Sequence, residues 1–190
     1  MKKLQEEEIP QGYVRVSTVL SPYTNFDGAP ADVVANAADR GTLVHKLCEL
    51  YALDLFIPNI RDDCKGYFES FKKWFDSRVK EVIFTEQRLN SPTYKLSGQI
   101  DFVLKINGSE KLCLVDIKTP AVASKKWQLQ TAAYQILFKD CLGEDIPRRF
   151  CLMLKKDGSN AVAVEYTDTK NDQEFFLNAL ILHRFFERRN

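Results

Sequence analysis

Two runs of alternating apolar residues, Ser97 to Leu104 and Cys113 to Thr119, are joined across Asn107-Gly108, turn residues that accept the positive φ a tight hairpin connection demands. No other stretch restricts the fold as much. The pattern predicts paired strands with Asp101 on one and Asp116 on the other. Residues two apart on a strand share a face, so Asp116 and Lys118 project together while Val115 and Ile117 turn the opposite way, into a core.

Two carboxylates on paired strands are hard oxygen ligands of the kind Mg²⁺ or Mn²⁺ takes, with remaining positions left to water and phosphate oxygens. An amine beside them suits phosphodiester cleavage, because a cation at Lys118 orients the nucleophile or stabilises charge developing on the phosphate oxygens. Taken alone, an Asp and a Lys two apart also describe an exposed strand with a weak salt bridge. The triplet gains meaning from its company.

That company is Gly98-x-x-Asp101 just before it, Gln130-Thr131-Ala132-Ala133-Tyr134 after it, and Arg40-Gly41-Thr42-Leu43-Val44-His45 well upstream. Together with Asp116-Ile117-Lys118-Thr119 the set resembles the PD-(D/E)XK nuclease superfamily, and within it the RecB-like exonuclease group, which includes phage-encoded members. The resemblance runs from about Ser17 to about Cys141 and keeps the family order. It implies a restriction-endonuclease-like core, Mg²⁺ or Mn²⁺ as cofactor, and DNA, as single strands or duplex ends, as partner in recombination, repair or phage DNA processing.

Carried over residue by residue, it makes Asp101, Asp116 and Lys118 catalytic. His45, Asp101, Asp116 and the Ile117 carbonyl become metal ligands, and Gln130 and Tyr134 hold the nucleic-acid backbone with Thr119 beside them; Lys125 and Lys126 are phosphate-binding candidates on separate grounds, because ammonium charge and helix N-terminal amides both attract anions. Glu86 stands about where relatives carry another acid and is an auxiliary candidate; an ordinary surface glutamate fits it equally well. A structure-specific endonuclease would use the same residues, and a binding or assembly module would keep the fold without turnover. Some relatives hold an iron–sulfur cluster on one upstream and three clustered downstream cysteines, a spacing that Cys48, Cys64, Cys113, Cys141 and Cys151 lack, so none is expected.

The 190 residues suit a single domain, 1–190, with a polar arm over 1–12 that contains Glu6-Glu7-Glu8. With 27 Lys and Arg against 26 Asp and Glu, charge alone argues neither for nor against a nucleic-acid partner. Five cysteines without a C-x-x-C pair, no signal peptide and no apolar run of membrane length point to a reducing cytoplasm.

Periodicity predicts a helix from about Ala31 to Leu53, continuous or interrupted near Gly41, and another from about Arg61 to Lys80 whose stripe of Tyr67, Phe68, Phe71, Trp74 and Phe75 reads as core. A strand starts at Val82-Ile83-Phe84. Ser124 is expected to cap a helix from Lys125 to about Leu142, while Ser17 and Thr18 open another helix as caps or as phosphate donors. A second hairpin spans Arg148 to Lys155 and Ala161 to Tyr166. A final apolar helix, Asn171 to Arg189, covers the sheet or mediates self-association. The order gives an α/β sandwich around a mixed central sheet flanked by helices.

Overall fold

A computed structural model describes residues 8–23, 30–120 and 123–187. The predicted hairpin is its spine. Strand β3 (Leu96–Ile106) runs antiparallel to β4 (Leu112–Lys118), with Phe102 opposite Val115 and Lys105 opposite Leu112. Along its other edge β3 pairs antiparallel with β2 (Val79–Ser91), which begins three residues before the expected start. A two-residue strand that periodicity does not reveal, β1 (Val14–Arg15), joins β3 in parallel at Leu96 and Ser97. Beyond β4 come β5 (Arg148–Met153), parallel to it, and β6 (Val162–Glu165), antiparallel to β5, so the sheet is mixed.

Helices cover the two faces. On one, α1 (Val16–Val19), α4 (Lys126–Leu142) and α5 (Thr169–Glu187) bury Val16, Leu137, Phe176 and Leu180 against Leu96, Ile100, Val103 and Leu114. On the other, α2 (Ala31–Ala52) and α3 (Asp62–Arg78) pack Val44, Cys48, Phe68 and Phe71 onto Phe102, Leu104, Val115 and Ile117. Val115 and Ile117 are core residues, as the alternation predicts. The aromatic stripe of α3 is packing, with the Phe71 and Phe102 rings stacked 5.6 Å apart.

The structure decides one local alternative and corrects two expected caps. Helix α2 passes through Gly41 without a break, because helical hydrogen bonding continues on both sides of a residue whose weak propensity costs only about 1 kcal/mol. Helix α4 starts at Lys126 with no side-chain cap; the Ser124 carbonyl, not its hydroxyl, accepts the Trp127 N–H at 3.2 Å. Ser17 and Thr18 lie within α1, whose cap position is held by Arg15 without a side-chain bond. Of the polar arm, only residues 8–12 fall among those described.

Helix α5 is joined to the sheet by a buried ion pair. The Arg149 guanidinium, fully buried, binds Asp172, the Gln128 carbonyl (2.6 Å) and Thr131 Oγ1 (2.9 Å), and Gln128 Nε2 donates to Asp172 at 2.8 Å. Its inner face is Phe176, Ala179 and Leu180, whereas Phe175, Ile181, Leu182, Phe185 and Phe186 are exposed. Among the described residues no helix is long and apolar enough to cross a membrane. All five cysteines are free thiols.

Candidate active site

The β3–β4 ladder ends at Phe102 and Val115, and from Asp116 to Lys118 strand β4 pairs only with β5. The strands part, and Asp101 fills the opening: its Oδ2 accepts the Ile117 N–H at 2.6 Å in place of a backbone partner. Alternation along β3 breaks at the same point. Ile100 and Val103 both pack toward α4, while Phe102 and Leu104 pack toward α2 and α3. On β2, where Thr85 pairs with Phe102 and Gln87 with Ile100, the residue facing Asp101 is Glu86. Its φ of +46° is a left-handed conformation that costs a non-glycine residue on the order of 1 kcal/mol and survives only where its surroundings fix it.

One turn after Gly41, α2 delivers His45 into this opening. His45 Nε2 lies 3.1 Å from the Ile117 carbonyl, and Nδ1 lies 3.4 Å from Asp101 and 3.6 Å from Glu86. One ligand atom from each of His45, Glu86 and Asp101 falls within 4.8 Å of the others. Glu86 Oε1 is buried without a hydrogen-bond partner. Burial of the imidazole favours its neutral form, but attraction to Asp101 and then to Glu86 prevails and holds His45 up to about 10. Burial likewise opposes charge on Asp101, yet His45, Lys118 and the Ile117 N–H keep it below the usual carboxylate range.

Asp116 and Lys118 project together from β4, as the alternation predicts, with Lys118 Nζ 2.7 Å from Asp116 Oδ2. Asp116 is not one of the three converging ligands. Burial pushes it up to about 6, with Lys118 pulling it back and Asp101 adding to the rise. Lys118 pays a burial penalty that Asp116 and Asp101 more than offset, so its ammonium is held well above the ordinary lysine value.

From α4, Gln130 Nε2 donates to the Tyr134 hydroxyl at 2.8 Å, and Tyr134 is raised by burial and by Asp116. Lys126 is lowered by burial and then by the charge of Lys118, which puts it within electrostatic reach of the site. Lys125 is exposed, and Thr119 faces α2, its Oγ1 3.6 Å from where a β-carbon on Gly41 would stand.

Gly98 lets α4 approach this closely. A β-carbon there would lie 2.5 Å from Leu137 Cδ1 and 2.9 Å from Tyr134 Cε1. Gly98→Ala is therefore expected to cost about 1–3 kcal/mol of stability by overpacking and, if the nuclease resemblance of the sequence extends to activity, to lower DNA cleavage by shifting Tyr134. Urea denaturation and a cleavage assay on the same preparation check both effects.

Sequence reasoning leaves out Gln99 and Arg88. Gln99 Nε2 donates to Glu86 Oε2 at 2.6 Å, and Arg88 donates to Gln99 Oε1 at 2.6 Å. The signal that would have found them is the register of β2 on β3, which sets Arg88 opposite Gln99.

Against known proteins, the sequence profile of the PD-(D/E)XK nuclease superfamily matches residues 23–180. A candidate exonuclease from Eubacterium rectale superposes with a TM-score of 0.58 at 11% identity, over 98% of this chain and 85% of that one; at that identity the likeness speaks to the fold. The solved structure of SSO0001 is 16% identical over 95% of this chain and 79% of its own, and its TM-score of 0.43 carries no argument. No curated protein matches.

Proposed function

The chain belongs to the PD-(D/E)XK nuclease superfamily, and from that premise we propose a divalent-metal-dependent DNA exonuclease of the RecB-like type, acting on DNA ends in recombination, repair or phage DNA processing. The observation that carries this reading is the convergence of His45, Glu86 and Asp101 where β3 and β4 part, beside the Asp116–Lys118 pair. The donor set suits Mg²⁺ or Mn²⁺: two carboxylates and an imidazole, with one buried carboxylate oxygen lacking a hydrogen-bond partner. His45, Glu86 and Asp101 would hold the ion, with Asp116 and the Ile117 carbonyl as further oxygen ligands. When bound, it supplies Lewis acidity, lowering the pKa of a coordinated water and neutralising charge on the scissile phosphate.

The remaining work belongs to side chains. Lys118, kept protonated by two carboxylates, is a donor rather than a base, so it orients the attacking water or stabilises charge developing on the phosphate. The Tyr134 hydroxyl accepts from Gln130, which leaves its own hydrogen for a phosphate oxygen. Lys126 and Lys125, at the start of α4, add positive charge on the path of the strand.

Purified protein with end-labelled linear single-stranded, linear duplex and closed circular DNA, each with Mg²⁺, Mn²⁺ or EDTA, tests the proposal. Loss of label from linear DNA in either metal, with circular DNA untouched, is expected. Cutting of the circle would establish an endonuclease, and no cutting of any substrate in either metal would leave a binding module.

Affinity for the ion should depend steeply on pH. His45 faces Asp101 and Glu86 with a protonated Nδ1, and must release that proton to become a ligand. Below its pKa of about 10, one proton released per ion gives about a tenfold rise in Mn²⁺ affinity per pH unit. The dependence should steepen below about 6, where Asp116 also carries a proton. Calorimetric titration of Mn²⁺ in buffers of different ionisation enthalpy counts the protons directly.

A further inference from the structure

We propose that Arg88 and Gln99 are positioning residues that act through Glu86 to set the affinity of the site for its divalent ion. The inference rests on the nuclease reading and extends it to residues that touch neither the ion nor DNA.

Glu86 is unusual in two respects that together call for support. Its backbone occupies the left-handed region in the middle of a strand, and one of its carboxylate oxygens is buried without a hydrogen bond, beside His45 and Asp101. A buried carboxylate oxygen whose nearest partner is the His45 imidazole at 3.6 Å, beyond hydrogen-bond distance, is costly unless a metal cation arrives to meet it. Its other oxygen, Oε2, accepts from Gln99 Nε2 at 2.6 Å, which fixes the side chain with Oε1 turned toward His45. The Gln99 amide can stand only one way round. Its oxygen takes the Arg88 guanidinium at 2.6 Å, and reversal would set that oxygen against a carboxylate and the amide hydrogens against a cation. Arg88 is braced in turn by Ser97 Oγ at 3.4 Å, on the strand that carries both Gln99 and Asp101.

The chain Ser97, Arg88, Gln99, Glu86 thus crosses between β2 and β3 and ends on the carboxylate whose other oxygen, Oε1, faces the site. Outer partners of this kind orient the ligand and hold its lone pair on the ion, and losing one typically weakens metal binding about 10- to 100-fold. A merely structural role makes a different forecast: stability and maximal rate fall, while the metal concentration needed for activity does not move.

Free Mn²⁺ measured by its electron paramagnetic resonance signal gives the affinity of wild type, Gln99→Leu, Arg88→Met and Arg88→Lys without any cleavage step, and cleavage over a Mn²⁺ series gives midpoint and plateau. Gln99→Leu and Arg88→Met are expected to weaken Mn²⁺ binding by about 10- to 100-fold and to shift the cleavage midpoint by the same factor, with the plateau largely recovered at saturating Mn²⁺. Arg88→Lys, which keeps a cationic donor, should recover part of the affinity. Wild-type Mn²⁺ affinity in the folded Gln99→Leu and Arg88→Met proteins, or a fallen plateau with an unmoved midpoint, overturns the proposal while the nuclease reading stands. A wild type that neither binds Mn²⁺ nor cuts DNA overturns both.

Discussion

Lys118→Ala is expected to lower DNA cleavage by about 10²- to 10³-fold at saturating metal, the loss typical of removing one pre-set donor from a developing negative charge. The ammonium is held beside Asp116 and stays charged across the working pH range, so its loss takes a fixed donor from the opening between β3 and β4. The substitution has a structural cost as well. Asp116 is 1% exposed, and without Lys118 its carboxylate must remain buried and unpaired or take up a proton, a loss of about 1–3 kcal/mol.

A fall in rate could then be blamed on folding, and a second variant separates the two. Asp116→Asn combined with Lys118→Met removes both charges at nearly constant volume, and neutral replacement of a buried pair generally preserves stability. The double variant should melt close to wild type and still fail to cleave. Wild-type rates in folded Lys118→Ala, measured with end-labelled DNA in Mn²⁺, would remove Lys118 from the chemistry.

Much of this site was legible from spacing. Alternation put Asp116 and Lys118 on one side of β4 with Val115 and Ile117 in the core, and Asn107-Gly108 marked the connection that sets Asp101 and Asp116 on neighbouring strands. Hidden from that reading was the breakdown of the alternation itself. A period of two assigns Ile100 and Phe102 to the same face, yet they pack on opposite faces because the backbone is irregular where Asp101 meets Glu86. That irregularity aims Glu86 at His45, a convergence that no local pattern encodes, since it depends on the register between β2 and β3.

Short-range chemistry misled where tertiary packing decided the outcome. Gly41 reads as a possible helix break, but α2 is anchored just beyond it by burial of Val44, Leu47 and Cys48, which outweighs a propensity penalty of about 1 kcal/mol. Gly98 reads as part of a motif, and its physical reason is space: Tyr134 and Leu137 stand where a β-carbon would go. β1 was invisible because two residues contain no period, and its pairing is fixed by the edge of β3 that β4 leaves free.

Asp172→Ala should be among the most destabilising single changes in the chain, at about 3–5 kcal/mol, although Asp172 lies outside the proposed active site. Arg149 is fully buried in β5, and Asp172 is the one carboxylate its guanidinium meets among the described residues, the other partners being the neutral groups of Gln128 and Thr131 and the Asp168 carbonyl. Removing the acid strands a charge that cannot lose its proton, because guanidinium stays ionised. It also frees Gln128, which bridges α4 to the same carboxylate. Since α4 carries Gln130 and Tyr134, loosening α5 should be felt at the helix proposed to hold the DNA strand before the sheet opens. Guanidinium chloride denaturation is expected to show the loss in full for Asp172→Ala. Arg149→Met with Asp172→Leu, which removes both charges and keeps apolar bulk, should recover most of it. If Asp172→Ala unfolds within about 1 kcal/mol of wild type, the pair does not hold α5 to the sheet, and the apolar contacts of Phe176 and Leu180 suffice.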